Sequence, residues 1–357
     1  MSTRVDPPPI PASGIFSSLA ASKFTSSLRR CPLSLITTYL FSLDPYKNST
    51  HEIILQRLVL RLINTEYSTF ALQRIFHRLS LREFQPVREI SFQHIRRILN
   101  LMGGKHCRVL DFTGCLLLTD AVALVGIESA PHIRVLSLKQ CPVLSDAIFR
   151  LAVSKLRRLE SLNVGNSRKL SGRGLLRCIR LNRFPANRIR ELRLPSMHYV
   201  DNTIMNDICK SIGTSLEILD IENTGVSDGF LISVRRYNSG LLRLLAGNND
   251  FSDSGILTLC DTHNKRDPLL QLIEFDTSYS NGVGDCGVLA VCGAFSNSLE
   301  VLKIAGLDDR LGVSCLHTIT QSLPKLKLLD LRFCSNIRPM TIRTLIYTST
   351  ENVAIIR

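Results

Sequence analysis

The residues of this 357-residue chain that could carry chemistry are eight histidines, eleven cysteines, a recurring set of aspartates, one glycine-rich loop and a run of arginines. Metal or nucleophilic chemistry needs Cys and His close together. A C-x-x-C or H-E-x-x-H spacing sets two ligands on one loop or one helix face. Neither spacing occurs, and His51, His77, His94, His106, His132, His198, His263 and His317 are scattered. The loop NGVGDCG, with Gly282, Gly284 and Gly287, matches G-x-G-x-x-G, but no dinucleotide-binding βαβ pattern surrounds it. No G-x-x-x-x-G-K-S/T phosphate loop is present. Asp120, Asp146, Asp228 and Asp253 recur once per period, which is the distribution of caps on successive helices and not of an acid–base pair. The expectation is a non-catalytic binding protein without cofactor or metal.

The aspartates are spaced by a repeat. From Cys107 onward an apolar triplet L-x-x-L-x-L recurs, followed by Cys, Asn or Thr, then Ser/Thr-Asp and a helical run. Clear copies are RVLDFTGCLLLTDAV (108–122), RVLSLKQCPVLSDAI (134–148), LEILDIENTGVSDGF (216–230) and LKLLDLRFCSNIRPM (326–340). The second apolar anchor falls at Leu110, Leu136, Leu162, Leu192, Leu219, Leu245, Phe275, Leu302 and Leu329. The intervals are 26, 26, 30, 27, 26, 30, 27 and 27 residues. The last two apolar residues of the triplet lie two apart, so on a strand they share one face and the residues flanking them share the other. The run after each turn, such as DAIFRLAVSKL (146–156), is apolar at helical spacing. A unit this small cannot bury its leucines alone, so stacked units make one continuous core. The prediction is an α/β solenoid over residues 107–357, with parallel strands on a concave face and helices on a convex face.

A triplet at a period of about 20–29 residues resembles the leucine-rich repeat (LRR) family. Cys115, Cys141 and Cys334 stand just after the strand, where many such repeats carry Asn or Cys and the side chain turns inward. With Ser/Thr-Asp after the turn, these copies resemble the cysteine-containing subfamily, as in F-box/LRR proteins. The resemblance implies about nine repeats whose concave wall is the ligand surface. Cys178, Cys209, Cys260 and Cys292 fall in helical runs where a small buried hydrophobe fits. An odd cysteine count without a secretory pattern predicts reduced thiols in the cytoplasm or nucleus. No apolar run approaches the roughly 18–20 residues of a membrane span.

The residues before the repeats read differently. Residues 1–30 are Ser- and Pro-rich, the composition of a disordered tail. Residues 31–106 are apolar at helical spacing in CPLSLITTYLFSLDP (31–45), HEIILQRLVLRLINT (51–65) and STFALQRIFHRL (68–79), which predicts an all-helical cap on the solenoid. Within it Ser34, Leu35, Tyr39 and Leu43 resemble a BC-box, S/T-L-x-x-x-C-x-x-x-L, with Tyr39 in place of Cys. The spacing sets Leu35, Tyr39 and Leu43 on one helical stripe, as docking into a groove requires. A BC-box, helices and then LRRs are the layout of the Zyg-type cullin-2 ubiquitin-ligase substrate receptors. That resemblance implies elongin C and cullin-2 as partners. Those receptors also carry an armadillo-like region that reads terminal degrons. No such pattern follows the repeats here, so their substrate class is not carried over. Pro32, Tyr39, Leu43, Asp44 and Pro45 also fit the start of an F-box, which implies Skp and cullin-1, although the later Val-Cys and Trp element is missing. The same residues also suit plain cap core.

Charge is uneven along the chain. Residues 1–106 hold 14 Lys/Arg against 6 Asp/Glu, residues 107–200 hold 16 against 6, and residues 201–357 hold 14 against 18. The densest basic stretch, Arg150 to Arg193, reads as a solvated convex face or as a nucleic-acid contact. The residues around the inward leucines predict the concave wall: Ser137, Lys139, Asn163, Arg193, Asp220, Glu222, Asn248, Asn249, Asp276, Tyr279, Lys303, Asp330 and Arg332. Its acidic centre argues against nucleic acid and for a protein partner of complementary charge. The functional expectation is the substrate-recognition subunit of a cullin-RING E3 ubiquitin ligase. The alternatives are an LRR scaffold or inhibitor using the same wall, and a nucleic-acid binder using the basic stretch.

Overall fold

The computed structural model describes residues 83–84, 108–151, 155–181, 188–261, 270–307, 310–338, 340–341 and 353–356. The Ser/Pro-rich tail, the BC-box-like Ser34, Leu35, Tyr39 and Leu43, and the predicted cap over 31–106 apart from Glu83 and Phe84 lie outside the described residues; those two form a strand and not a helix. The chain divides into two units, Met1–Ser80 and Leu81–Arg357, and every described residue belongs to the second.

Eleven short strands form one parallel sheet in chain order. They are β1 (Glu83–Phe84), β2 (Val109–Asp111), β3 (Val135–Ser137), β4 (Ser161–Asn163), β5 (Glu191–Arg193), β6 (Ile218–Asp220), β7 (Arg243–Leu245), β8 (Glu274–Asp276), β9 (Val301–Lys303), β10 (Leu328–Asp330) and β11 (Ala354–Ile356). Helices alternate with them: α1 (Asp120–Ser129), α2 (Ala147–Leu151), α3 (Gly172–Arg180), α4 (Asn202–Ile212), α5 (Asp228–Tyr237), α6 (Asp253–Cys260), α7 (Asp285–Ala294) and α8 (Val313–Ser322). This is an α/β leucine-rich repeat solenoid. Leu110, Leu136, Leu162, Leu192, Leu219, Leu244, Phe275, Leu302 and Leu329 stand in one row across the sheet, all fully buried. Burying one such side chain stabilises the fold by about 1.5–3 kcal/mol.

Two features depart from the sequence expectation. Strands β1 and β11 extend the sheet beyond the nine predicted copies, with Phe84 aligned to Leu110 and Ile355 to Leu329, each 26 residues apart. Their segments, REF and VAIIR, lack the leucine triplet. In β7 the anchor is Leu244 and not Leu245, because Leu244 aligns with Leu219 and Phe275. The run Leu241-Leu242-Arg243-Leu244-Leu245 offers two registers one residue apart, and such a slip exchanges the faces of the strand. Leu241 and Ala246 are both fully buried, so the triplet is Leu241-x-x-Leu244-x-Ala246.

The aspartates act across repeats, which corrects the expectation that each caps its own helix. Asp120 accepts hydrogen bonds from the backbone N–H and hydroxyl of Ser145, at 3.0 and 2.5 Å. Asp146 does the same for Ser171, and Asp228 for Ser252. Asp253 accepts from the N–H groups of Gly284 and Gly287, and Asp285 from that of Gly312. Ser171 and Ser252 then cap their own helices by accepting from Gly174 and Gly255. The starts of α2, α3, α6, α7 and α8 are therefore held by the carboxylate of the preceding repeat, whereas α4 is capped by its own Asp201 and the start of α5 is held by the side-chain amide of Asn202. The contact is close: a Cβ on Gly255 would lie 2.0 Å from Asp228 Oδ1, so only glycine fits there.

Leu244→Ala is expected to cost about 2–5 kcal/mol in urea unfolding, because it empties a core position. Leu245→Ala should cost under about 1 kcal/mol, and equal losses would return the anchor to Leu245. Asp228→Ala, which leaves the Ser252 cap without its acceptor, should cost about 0.5–2 kcal/mol, with Asp228→Asn losing less.

Candidate partner-binding surface

Residues on either side of each inward anchor leave the core and build the concave wall. Strand register brings Ser137, Asn163, Arg193, Asp220, Asp276, Lys303 and Asp330 into one row, with Leu245 between Asp220 and Asp276. Two residues further along their repeats, Lys139, Glu222 and Arg332 occupy a second level. The predicted residues of these two levels therefore share one surface.

Several of them also shape the backbone. Asn163 accepts a hydrogen bond from the N–H of Gly165 (3.1 Å), Asp220 from Glu222 (3.3 Å), Asp276 from Ser278 (3.0 Å) and Asp330 from Arg332 (3.1 Å). An Asx side chain that captures the N–H two residues on turns the strand out of the sheet. The turn then places one residue per repeat at positive φ: Gly114, Gln140, Asn166, Ser196, Asn223, Asn248, Tyr279, Gly306 and Phe333, between 53° and 74°.

Charge on the wall is largely paired. Arg193 contacts Glu191 and lies 3.6 Å from Asp220. Lys303 bridges Glu274 at 2.6 Å and Asp276 at 3.9 Å. Arg332 grips both carboxylate oxygens of Asp330. Lys139 and Glu222 make no ion pair with a described residue. Burial, with the neighbouring Asp220 and Asp276 carboxylates, pushes the Glu222 carboxyl above its usual range. Burial also raises Asp220 and Asp276, against the pull of their turn hydrogen bonds and of Arg193 and Lys303. Asp330 goes the other way: the Arg332 hydrogen bonds outweigh its burial and hold it low.

Not every predicted residue is open on the concave surface. Asp220 and Asp330 stand in the strand row but are buried, and Asn249 is buried and turned inward, which removes it from that surface. Its amide donates to the carbonyls of Ile221, Ala246 and Gly247, and its oxygen accepts from the N–H groups of Thr224 and Gly225. It occupies the inward post-strand position that Cys115, Cys141 and Cys334 hold elsewhere. Asn248 and Tyr279 lie on the ridge at the edge of the wall. Asn248 donates to the Asn223 side chain, and the Tyr279 ring covers Gly306 and approaches Phe333, with 6.1 Å between ring centroids. Sequence reasoning missed Glu191, Glu274 and the exposed Phe333. The two glutamates precede the anchor leucine or phenylalanine, so the same alternation extended one residue back would have found them.

The inward cysteines behave as structural donors. Burial pushes the thiols of Cys141, Cys209, Cys260 and Cys292 up to about 12 and that of Cys115 to about 11. Cys141 donates to the Phe112 carbonyl at 3.1 Å and Cys334 to that of Ile304 at 3.4 Å. Among the described residues, no group of three or more His, Cys, Asp or Glu could hold a metal ion, and no helix is long and apolar enough to cross a membrane.

The chain is similar to solved structures. A chain of the yeast Rad7 and Elc1 complex matches with a TM-score of 0.60 at 15% identity, over 97% of this chain and 93% of that one. An internalin from Listeria monocytogenes matches with a TM-score of 0.45 at 16% identity, over 85% of this chain and 87% of that one. The first supports the solenoid fold. No family model and no curated protein matches the sequence.

Because their folded-state carboxyls titrate above the unfolded value of 3.8, Asp220 and Asp276 destabilise the fold when ionised. That penalty is present at neutral pH and disappears as pH falls through the raised values. Asp276→Asn keeps the acceptor for Ser278 and removes the charge. It should match or exceed wild-type stability at pH 7 and lose that advantage near pH 4. Urea midpoints across this range test it, and an advantage that grows toward pH 4 contradicts the assignment.

Proposed function

We propose that this chain is a protein-interaction module and, within that class, the substrate-recognition subunit of a cullin-RING E3 ubiquitin ligase. What supports the interaction reading is the concave wall. It aligns Arg193, Asp220, Asp276, Lys303 and Asp330 in one row, with Leu245 between the first two and the last three, and leaves Lys139 and Glu222 without an ion pair to a described residue. Poorly hydrated carboxylates at Asp220, Glu222 and Asp276 gain from a cation brought by a partner, so the partner presents Lys or Arg to the centre of the wall.

Two observations support the ligase reading. Ser34, Leu35, Tyr39 and Leu43 carry the BC-box-like spacing ahead of the repeats. The fold likeness extends over nearly the whole chain to a chain of a two-protein complex, Rad7 with Elc1. In this proposal residues 31–106 form the cap and adaptor-docking region, and residues 107–357 hold the substrate. The adaptor is elongin C with cullin-2, or Skp with cullin-1. The chain has no active site of its own and works in the cytoplasm or nucleus.

Affinity capture of the full chain from cell lysate, read by mass spectrometry, tests both halves. Wild type is expected to retain an elongin or Skp adaptor with its cullin, and Leu35→Asp to lose both. Glu222→Lys should keep the adaptor and lose other bound proteins. If wild type and Leu35→Asp retain the same elongin, Skp and cullin signal, or none, the ligase reading fails. A stable partner held through Glu222 without any cullin would then favour the scaffold alternative.

A further inference from the structure

The positive-φ ridge is built mostly of residues suited to it. Glycine, asparagine, serine or glutamine holds seven of the nine positions from Gly114 to Phe333. The other two are Tyr279 and Phe333, at φ 57° and 59°, a conformation that bulky side chains rarely adopt. Asn223 and Asn248 make the same turn, so the turn itself does not call for a ring. Tyr279 gains something from covering Gly306, whereas Phe333 is 69% exposed. An unfavourable backbone conformation beneath an exposed ring points to a use outside the fold.

The two rings form one apolar patch at the edge of the wall, their centroids 6.1 Å apart with Gly306 between them in the ridge. On the level of Glu222 and Arg332, the intervening residues are Gly247, Ser278 and Ala305. All three are buried, so no long side chain fills the space between the ridge and the strand row. Charge along this stretch is negative. From β6 to β9, Asp220, Glu222, Glu274 and Asp276 are set against Arg243 and Lys303, and Arg193 beside Asp220 also serves Glu191. Glu222 is exposed, forms no ion pair with a described residue and lies two repeats before Tyr279.

We propose that this trough takes an extended segment of a partner protein, with Lys or Arg against Glu222 and an aliphatic or aromatic side chain against Tyr279 and Phe333. The inference deepens the interaction reading of the concave wall and rests on it. The excess of carboxylates selects a cationic segment, and the rings add an apolar anchor. Interface cores are enriched in Tyr and Phe, and buried side chains of this kind supply much of the binding energy. Strand spacing of about 4.8 Å puts Tyr279 two steps from Glu222 and Gly306, between the rings, three steps, or about 10–14 Å. An extended chain rises about 3.3 Å per residue, so the basic and apolar residues of the segment stand about three or four apart. A nucleic-acid strand would meet the same rings but be repelled by the carboxylates.

Selection of a phage-displayed library of random linear peptides on the full chain, followed by fluorescence-anisotropy titration of the enriched peptides, tests the assignment. Enriched peptides are expected to pair Lys or Arg with an aliphatic or aromatic residue at that spacing. Their Kd should rise at least tenfold in Phe333→Asn and in Glu222→Lys. Leu117→Asn, an exposed apolar residue far from the trough, should leave Kd within twofold. Circular dichroism melting separates lost binding from lost fold, and Phe333→Asn should melt at or above wild type because Asn tolerates positive φ. Peptides that depend on Glu222 and not on Phe333 overturn this inference and leave the cationic-partner reading standing. Peptides that depend on neither, or no enrichment at all, overturn both. Dependence on Phe333 without Glu222 also overturns the paired recognition proposed. A Phe333-dependent dimer in light scattering would make a second copy of this chain the occupant and overturn it as well.

Discussion

Past each strand, a backbone N–H is satisfied by the neighbouring repeat: Phe112 donates to Ser137, Leu138 to Asn163, Val164 to Arg193, Leu194 to Asp220, and so on to Leu331 and Ile356. This pairing is the constraint on which the rest of the protein depends. It brings residues about 26 positions apart to within about 4.8 Å, the spacing of hydrogen-bonded strands. Four columns then repeat at the same step: the buried anchors, the outward strand residues, the positive-φ ridge and the Asp–Ser contacts at the helix starts. No column closes within one repeat, so each repeat is stabilised mainly by its neighbours.

The helix side shows how this works for polar groups. A helix start leaves orphan N–H groups that need acceptors. Here Asp120, Asp146 and Asp228 supply part of them from the repeat before, through the serine that caps the next helix. The interaction sets both the rotation of one helix against the next and the glycine at the facing position. Gly172 departs from the aspartate or asparagine pattern at the start of α3, and there the surface turns cationic.

Much of this was legible in the sequence because leucine spacing records strand periodicity directly. The buried row from Leu110 to Leu329 follows from the triplet alone, except where two leucines adjoin. At Leu244-Leu245 the pattern admits two registers, and only the flanking Leu241 and Ala246 select one. That single slip also displaced Asn249, which takes the inward position of Cys115 once Leu244 is the anchor. Strands β1 and β11 lacked the triplet and were found only by pairing. The cross-repeat role of the aspartates was invisible because its partners lie 24 to 34 residues away, where local capping rules do not reach. Glu191 and Glu274 were overlooked for a simpler reason, since alternation was followed on one side of the anchor only.

The concave aspartates pose the sharper question of why they are charged at all. Asn163 makes the same strand-ending turn as Asp220 and Asp276, accepting from the N–H two residues on. The turn therefore requires an oxygen acceptor but not a charge. At Asp220 and Asp276 burial disfavours the ionised form, and Arg193 and Lys303 offset this only in part. Asparagine at either position would preserve the geometry without the desolvation cost. Folding alone does not account for carboxylates there, whereas the proposed recognition of a cationic partner would, because such a partner would supply the charge that the wall lacks. Asp330 shows the contrast, since Arg332 already satisfies it within its own repeat and holds it low. The centre of the wall, and not its C-terminal end, is where the structure leaves negative charge incompletely compensated.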